Sequence, residues 1–463
     1  MNSKHIGVTL SVILILCVLT GCASILITDQ PTASVTPFLS ETPTIQPTGT
    51  PVLPPVEKPT RAVTPAVSKP LALPTEDEAS ARLSVPAGFA IRIYAQNLQG
   101  RPRFMTFGPD NALYLSLTSG GAIVRLPDAN QDGLADSSDV VISGLNQPHG
   151  LEWLGDWLYV AENNRVERFR SSSGNGVFDQ RELVTDNIPG GAGHFTRTLH
   201  FGPDGMLYVS AGSSCNLCVE SDPRRAAILR FNPDGSIPAD NPFADDADAR
   251  KQAVWASGLR NSVDFLWTPT GEMWANMNGR DNLLDANGLP DSLPPEVIVF
   301  PIRAGQFYGW PYCYNPAAGS NPGASPQVLD TQSGLSLPQG LDCSQAVPAL
   351  FADLAHSAPL GMSLGKPGNF PTAWQSDLYV AYHGSWNVQT TSSIRDCKVE
   401  RIVIQAGLPV SSEDFVNGWR APGSNCGDAS TYGRPADVIF GPDGAMYISD
   451  DAGGRVYRVI SVQ

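Results

Sequence analysis

Six stretches of this sequence each place a cationic or imidazole side chain just ahead of an apolar run. They are Arg103 in RPRFMTF, His149 in QPHGLEW, His194 with Arg197 in GHFTRTLHF, Arg260 with Asn261 in GLRNSVDFLW, His356 in HSAPLGMSL and Arg434 in GRPADVIF. His383, in YHGSWN, is a further imidazole of the same kind. Imidazole takes and returns protons near neutral pH. Guanidinium grips carboxylates through paired N–H groups. One such residue alone is usually structural, but six in register predict a positive ring. The chain as a whole carries a formal charge of −15, so a concentrated positive patch implies an anionic ligand.

Two further patterns suggest metal or redox chemistry. DANQDGLADSSD sets Asp128, Asn130, Asp132, Asp136 and Asp139 at alternating oxygen-bearing positions around Gly133, the spacing with which a loop wraps calcium. The plainer reading is an acidic surface turn. CNLC brings Cys215 and Cys218 close together, as a tight disulfide or half of a metal site, and no second close Cys/His pair completes a zinc centre. The chain has eight cysteines. Setting aside Cys17 and Cys22, proximity pairs the rest as Cys215–Cys218, Cys313–Cys343 and Cys397–Cys426, a set that fits an oxidising compartment.

The elements that would position these residues are legible as a repeat. FGPDNALYLS, WLGDWLYVAE, FGPDGMLYVS, WTPTGEMWAN, FPTAWQSDLYVAY and FGPDGAMYIS begin at residues 107, 153, 201, 267, 370 and 440. Each has a polar turn, then Leu or Met with an aromatic residue, then a strand of small or β-branched residues. Sixfold repetition predicts an all-β, six-bladed β-propeller of four-stranded antiparallel blades over residues 82–463, which shields strand edges by closing on itself. A pair of β-sandwiches is the alternative and needs no such repeat. In a propeller the first strand of each blade lines the channel, so the residues just before the hairpins gather at one mouth.

Several functions are excluded. No glycine-rich fingerprint joins a strand to a helix for a nicotinamide cofactor. YHGSWN lacks the second glycine of a nucleophile elbow, and CNLCV lacks the histidine of a c-type haem site. The acidic balance and the absence of basic runs argue against nucleic acid.

The stretches GHFTRTLHFGPDG, GLRNSVDFLWTPTGEMW, NGRDNLLD, LPPEVI, GQFYGWPYC, HSAPLGM, HGSWN and GRPADVIFGPDG, in this order, resemble the soluble quinoprotein glucose/sorbosone dehydrogenase family, most closely its sorbosone dehydrogenase-like branch. The resemblance runs from about Leu83 to Val459. It implies pyrroloquinoline quinone (PQQ) and Ca2+ as cofactors, and a sugar, sugar aldehyde or polyol as substrate. It implies that His194 is the base, that Arg260 and Asn261 lie beside the quinone, and that Arg434 binds a cofactor carboxylate. It also implies that the backbone carbonyls of Gly279 and Arg280 hold the catalytic calcium. A tricarboxylate suits the positive ring, to which Arg103, His149, His356 and His383 are added from their positions alone. The chain departs from glucose-oxidising members at three places. No lysine stands near YHGSWN, Gly193 replaces an acidic neighbour of the base, and His356 replaces a small hydroxyl residue. A metal-dependent lactonase on the same fold and a non-catalytic glycan- or protein-binding propeller are the competing expectations.

The N-terminus predicts location. Lys4 and His5 precede a short apolar run ending in LTGC, so residues 1–21 read as a lipoprotein signal and Cys22 as the lipidated residue. Residues 22–81, dominated by Pro, Thr and Ser, read as an extended stalk. The expected site is the outer face of a cell or outer membrane, held by lipid alone, with a respiratory carrier receiving the electrons.

Overall fold

The computed structural model describes residues 71–173, 176–320, 325–385, 388 and 394–463. They belong to a compact unit spanning Pro55–Gln463. The signal at 1–21, Cys22 and the stalk up to residue 70 lie outside the described residues. No helix among the described residues is long and apolar enough to cross a membrane.

Six antiparallel sheets of four strands, one of them with a short added strand, form the expected six-bladed propeller. Every repeated stretch falls at the junction of a blade's first and second strands. Blade one starts with Pro102–Phe107, blade two with Leu151–Leu154 and blade three with Leu199–Phe201. Blades four, five and six start with Phe265–Trp267, Pro359–Leu364 and Pro435–Phe440. The ring closes across the termini: Phe89–Ala95 is the outer strand of blade six, pairing Phe89 with Ser461 and Ile93 with Tyr457. Residues 71–82 are already folded onto this body. Asp77 caps the short helix Glu78–Arg82 and accepts the Ile93 N–H at 2.7 Å.

The repeat has a physical cause. In each full FGPD copy the aspartate accepts from the backbone of its own turn with one oxygen. The other oxygen takes a tyrosine hydroxyl, Tyr114 to Asp110 at 3.2 Å, Tyr208 to Asp204 at 2.9 Å and Tyr447 to Asp443 at 3.0 Å. An arginine on the third strand, directly opposite that tyrosine, completes the group as Arg125, Arg230 or Arg458. The preceding glycine is required because the ring lies over it. A Cβ at Gly108, Gly202 or Gly441 would stand 2.4, 2.8 or 2.7 Å from the tyrosine ring.

Carboxylates stitch neighbouring blades together at every second seam. Glu152 of blade two accepts Phe201 N–H of blade three, Asp264 of blade four accepts Met362 N–H of blade five, and Asp437 of blade six accepts Met105 N–H of blade one. Between blades five and six, Phe89, Phe370, Tyr379, Phe415 and Phe440 pack ring on ring. All three expected disulfides are formed, Cys215–Cys218, Cys313–Cys343 and Cys397–Cys426.

Candidate active site at the channel mouth

His194 lies on the turn entering blade three. Its Nδ1 is 3.0 Å from the Ser213 carbonyl and 2.9 Å from the Ser213 hydroxyl. The carbonyl can only accept, so Nδ1 carries the proton and Nε2 presents its lone pair. Nε2 has no hydrogen bond among the described residues. Burial, reinforced by the positive charge of Arg260, pushes the ring down to about 4, so it is neutral at physiological pH. Gly212 separates His194 from Asn261: a Cβ there would stand 2.6 Å from each.

Arg260 is buried. Its Nε and one terminal nitrogen donate to the Asn216 carbonyl and Oδ1, at 3.0 and 2.9 Å, and the other donates to the Asn278 carbonyl at 3.3 Å. The Asp281 carboxylate is 3.7 Å away. The Arg280 side chain turns from the mouth and pairs with Asp330 at 2.6 and 3.0 Å. No hydrogen bond among the described residues ends on the Gly279 or Arg280 carbonyl, so both stay open as oxygen ligands. Behind them Glu296 accepts the Gly279 N–H and, at 3.1 Å, the His356 N–H. Burial raises the Glu296 carboxyl to about 8. His356 is held at φ 64°, with Nε2 2.9 Å from the Pro290 carbonyl and Nδ1 3.6 Å from Asp281.

The remaining expected residues gather around Asp451, which the sequence reading did not single out. Arg103 reaches its carboxylate at 2.7 Å and His383 Nε2 at 2.7 Å. Despite burial, the Arg103 guanidinium, with a hydrogen bond from His383, holds Asp451 far below the usual carboxylate range, while burial pushes the His383 ring itself down to about 4. Arg434 donates to the His383 and Gly384 carbonyls at 2.8 and 3.1 Å and forms no ion pair among the described residues. Burial lowers its guanidinium to about 10. His149 is fully buried, its ring 4.2 Å from that of Phe104 and its Nδ1 3.2 Å from Thr198 Oγ1. The two groups meet at the start of blade five, where Asn278 donates to the Pro359 carbonyl and His383 N–H to Ala358.

Arg103 is paired with Asp451 at 2.7 Å, but three other buried or half-buried guanidiniums here lack a tight carboxylate partner among the described residues. Arg197 and Arg434 are satisfied by carbonyls, and Arg260 has Asp281 only at 3.7 Å. Unspent positive charge in a buried site is the donor set an anion needs.

The acidic loop is arranged differently. Asp128 accepts Asp132 and Gly133 N–H at 3.0 Å each, Asp136 accepts Ala129 N–H at 2.7 Å, and Asp132 accepts Leu134 N–H at 2.9 Å. Asn130 Oδ1 accepts Asp132 N–H at 2.9 Å. Asp139 turns toward Ser137 and Arg125. No three of these carboxylates bring oxygens within 4.8 Å of one another.

Glu296, Asn216 and Ser213 were not singled out in the sequence, although the motif LPPEVI contains Glu296 and CNLC contains Asn216. Comparison with known proteins supplies the family. The TrAA12-like family model matches residues 83–462. An aldose sugar dehydrogenase of Escherichia coli is 24% identical over 408 residues, covering 82% of this chain and 95% of its own. A pyrroloquinoline quinone-dependent pyranose dehydrogenase of Coprinopsis cinerea is 26% identical over 431 residues, covering 82% of this chain and 54% of its own. This chain therefore spans about half of that enzyme. The holo structure of that enzyme's PQQ domain superposes with a TM-score of 0.64 at 23% identity, over 82% of this chain and 97% of the domain. Because the match runs through all six blades and the mouth they build, the chain belongs to the TrAA12-like family, with PQQ-dependent sugar dehydrogenases among its relatives.

Proposed function

We propose that this chain is an extracytoplasmic quinoprotein dehydrogenase that oxidises a sugar, sugar aldehyde or polyol. In this reading Cys22 carries the lipid anchor and a respiratory carrier takes the electrons. Three disulfides support the oxidising compartment. The observation that carries the activity is the pairing of a neutral, open imidazole with buried guanidiniums that have charge to spare.

His194 Nε2 takes the proton of the substrate hydroxyl, and Ser213 holds the ring in the tautomer that permits it. Arg434 would hold a carboxylate of the cofactor, and Arg260 with Asn261 would stabilise the negative charge that develops on its oxygens. The open carbonyls of Gly279 and Arg280 would hold calcium, with the Glu296 carboxyl steadying their turn. When bound, the quinone and calcium supply the acceptor for the hydride leaving the substrate carbon. A lactonase would instead need free acidic ligands in the channel. Glu152 and Asp264 are spent on His200, and burial pushes Asp437 up to about 8.

Titration calorimetry with PQQ and calcium, followed by dye reduction with a panel of aldoses and sugar aldehydes, tests this. Arg434→Ala weakens loading and recovers turnover in excess quinone. Arg260→Ala stays slow even when loaded. Absence of quinone binding by the wild type overturns the reading in favour of a glycan-binding propeller.

A further inference from the structure

The Cys215–Cys218 bridge closes a sequence separation of 3, whereas the other two close 30 and 29. Chain-entropy stabilisation grows with loop length, so the small ring adds the least to global stability. Its position gives it another role. Asn216, inside the ring, uses every polar group of its side chain on the mouth. Oδ1 accepts from Arg260 at 2.9 Å and from Asp281 N–H at 2.8 Å, while Nδ2 donates to the Asp281 carbonyl at 3.1 Å. Its own carbonyl takes Arg260 Nε at 3.0 Å. The ring reaches His194 as well. Ser213 Oγ donates to the Cys215 carbonyl at 2.7 Å and lies 2.9 Å from His194 Nδ1. Ser214 is held by Glu220 on the far side at 2.6 and 2.7 Å.

We propose that Asn216, fixed in the Cys215–Cys218 ring, is the positioning residue that holds Arg260 and the 279–281 turn in register with His194. The amide is required by its bonding pattern. One oxygen accepts twice and one nitrogen donates back, so the two peptide groups flanking Asp281 are held by one amide. Aspartate keeps the acceptor and loses the donor, and alanine loses both. The ring restricts the backbone that carries this amide, so a single geometry is presented before any ligand arrives. The link to catalysis rests on the dehydrogenase reading; the clamp itself does not.

The clamp is therefore read first in the apo-protein. Asn216→Ala speeds hydrogen exchange of the Asp281 amide by about tenfold or more, with little change in global unfolding. Asn216→Asp retains part of the protection. Cys215→Ser combined with Cys218→Ser reproduces the alanine result. With quinone and calcium, Asn216→Ala weakens loading by about tenfold to a hundredfold. When saturated, it lowers kcat while KM for an aldose stays within about twofold. Unchanged Asp281 exchange in a folded Asn216→Ala protein overturns the proposal, as does unchanged quinone loading where the wild type loads. A wild type that binds no quinone removes the dehydrogenase reading instead, and the exchange result still decides the clamp.

Discussion

His194 and His200 enter the same blade, both half-buried, yet they sit at opposite ends of the histidine range. At the mouth, His194 meets a carbonyl, a hydroxyl and the charge of Arg260, and burial drives it down to about 4. In the channel, His200 has Glu152 on Nδ1 and Asp264 on Nε2, each at 3.0 Å. Burial again opposes its charge, but the two carboxylates outweigh it and raise the ring to about 10. Neighbouring charge, rather than depth, decides which histidine is a base and which is a cationic bolt between blades. One fold thereby keeps a proton acceptor on the turn into blade three and an imidazolium on the blade's first strand.

The contrast breaks most sharply at His194. His194→Gln lowers turnover by about two to four orders of magnitude while folding and quinone loading persist. Stopped-flow dye reduction on fully loaded protein measures it, and retained turnover rejects the base assignment. In the wild type, kcat/KM falls on acidification only as the ring protonates, near pH 4.

Stability separates the pair next. His200→Gln leaves two channel carboxylates without their cation and costs about 3 kcal/mol, the low end for a broken buried pair because solvent reaches part of the ring. Urea unfolding at neutral pH reads this loss. The signs with pH are opposite. The His200 contribution is complete below about pH 6.5, its ordinary value, and is lost as pH rises through about 10. His194 takes up its proton more readily unfolded, so it destabilises the fold as pH falls from about 6.5 toward 4. A melting profile in which both variants shift the same limb would contradict the comparison.

The smallest effect belongs to the acidic loop. Asp128→Ala with Asp132→Ala removes acceptors for three backbone N–H groups and lowers the melting temperature by a few degrees, on the order of 1 kcal/mol. The drop is equal in calcium and in chelator. A larger drop in calcium would show that the loop closes around an ion.

The fold was readable because its cause is local and repeated. The FGPD turn, its tyrosine and the opposite arginine form one hydrogen-bonded group inside a single hairpin and its neighbour strand, so the words recur wherever the group does. The disulfides were readable by proximity for a related reason, since each bridge joins neighbours in the cysteine order. His194, Arg260 and Arg434 were named from their place before each hairpin and from the resemblance of the surrounding motifs. Their partners were not. Asp451 takes its meaning from Arg103 and His383, brought from blades one and five. Glu296 gains its role by accepting two turns that its own strand does not contain. Asn216 reads as a loop residue until Arg260 and Asp281 arrive beside it. The acidic loop shows the converse, because ligand spacing says nothing about which way oxygens turn, and here Asp128 and Asp136 accept backbone N–H groups of their own loop. Residue types and local turns are set along the chain. Protonation, pairing and register at the mouth are decided only when closure of the ring brings distant charges within hydrogen-bond reach.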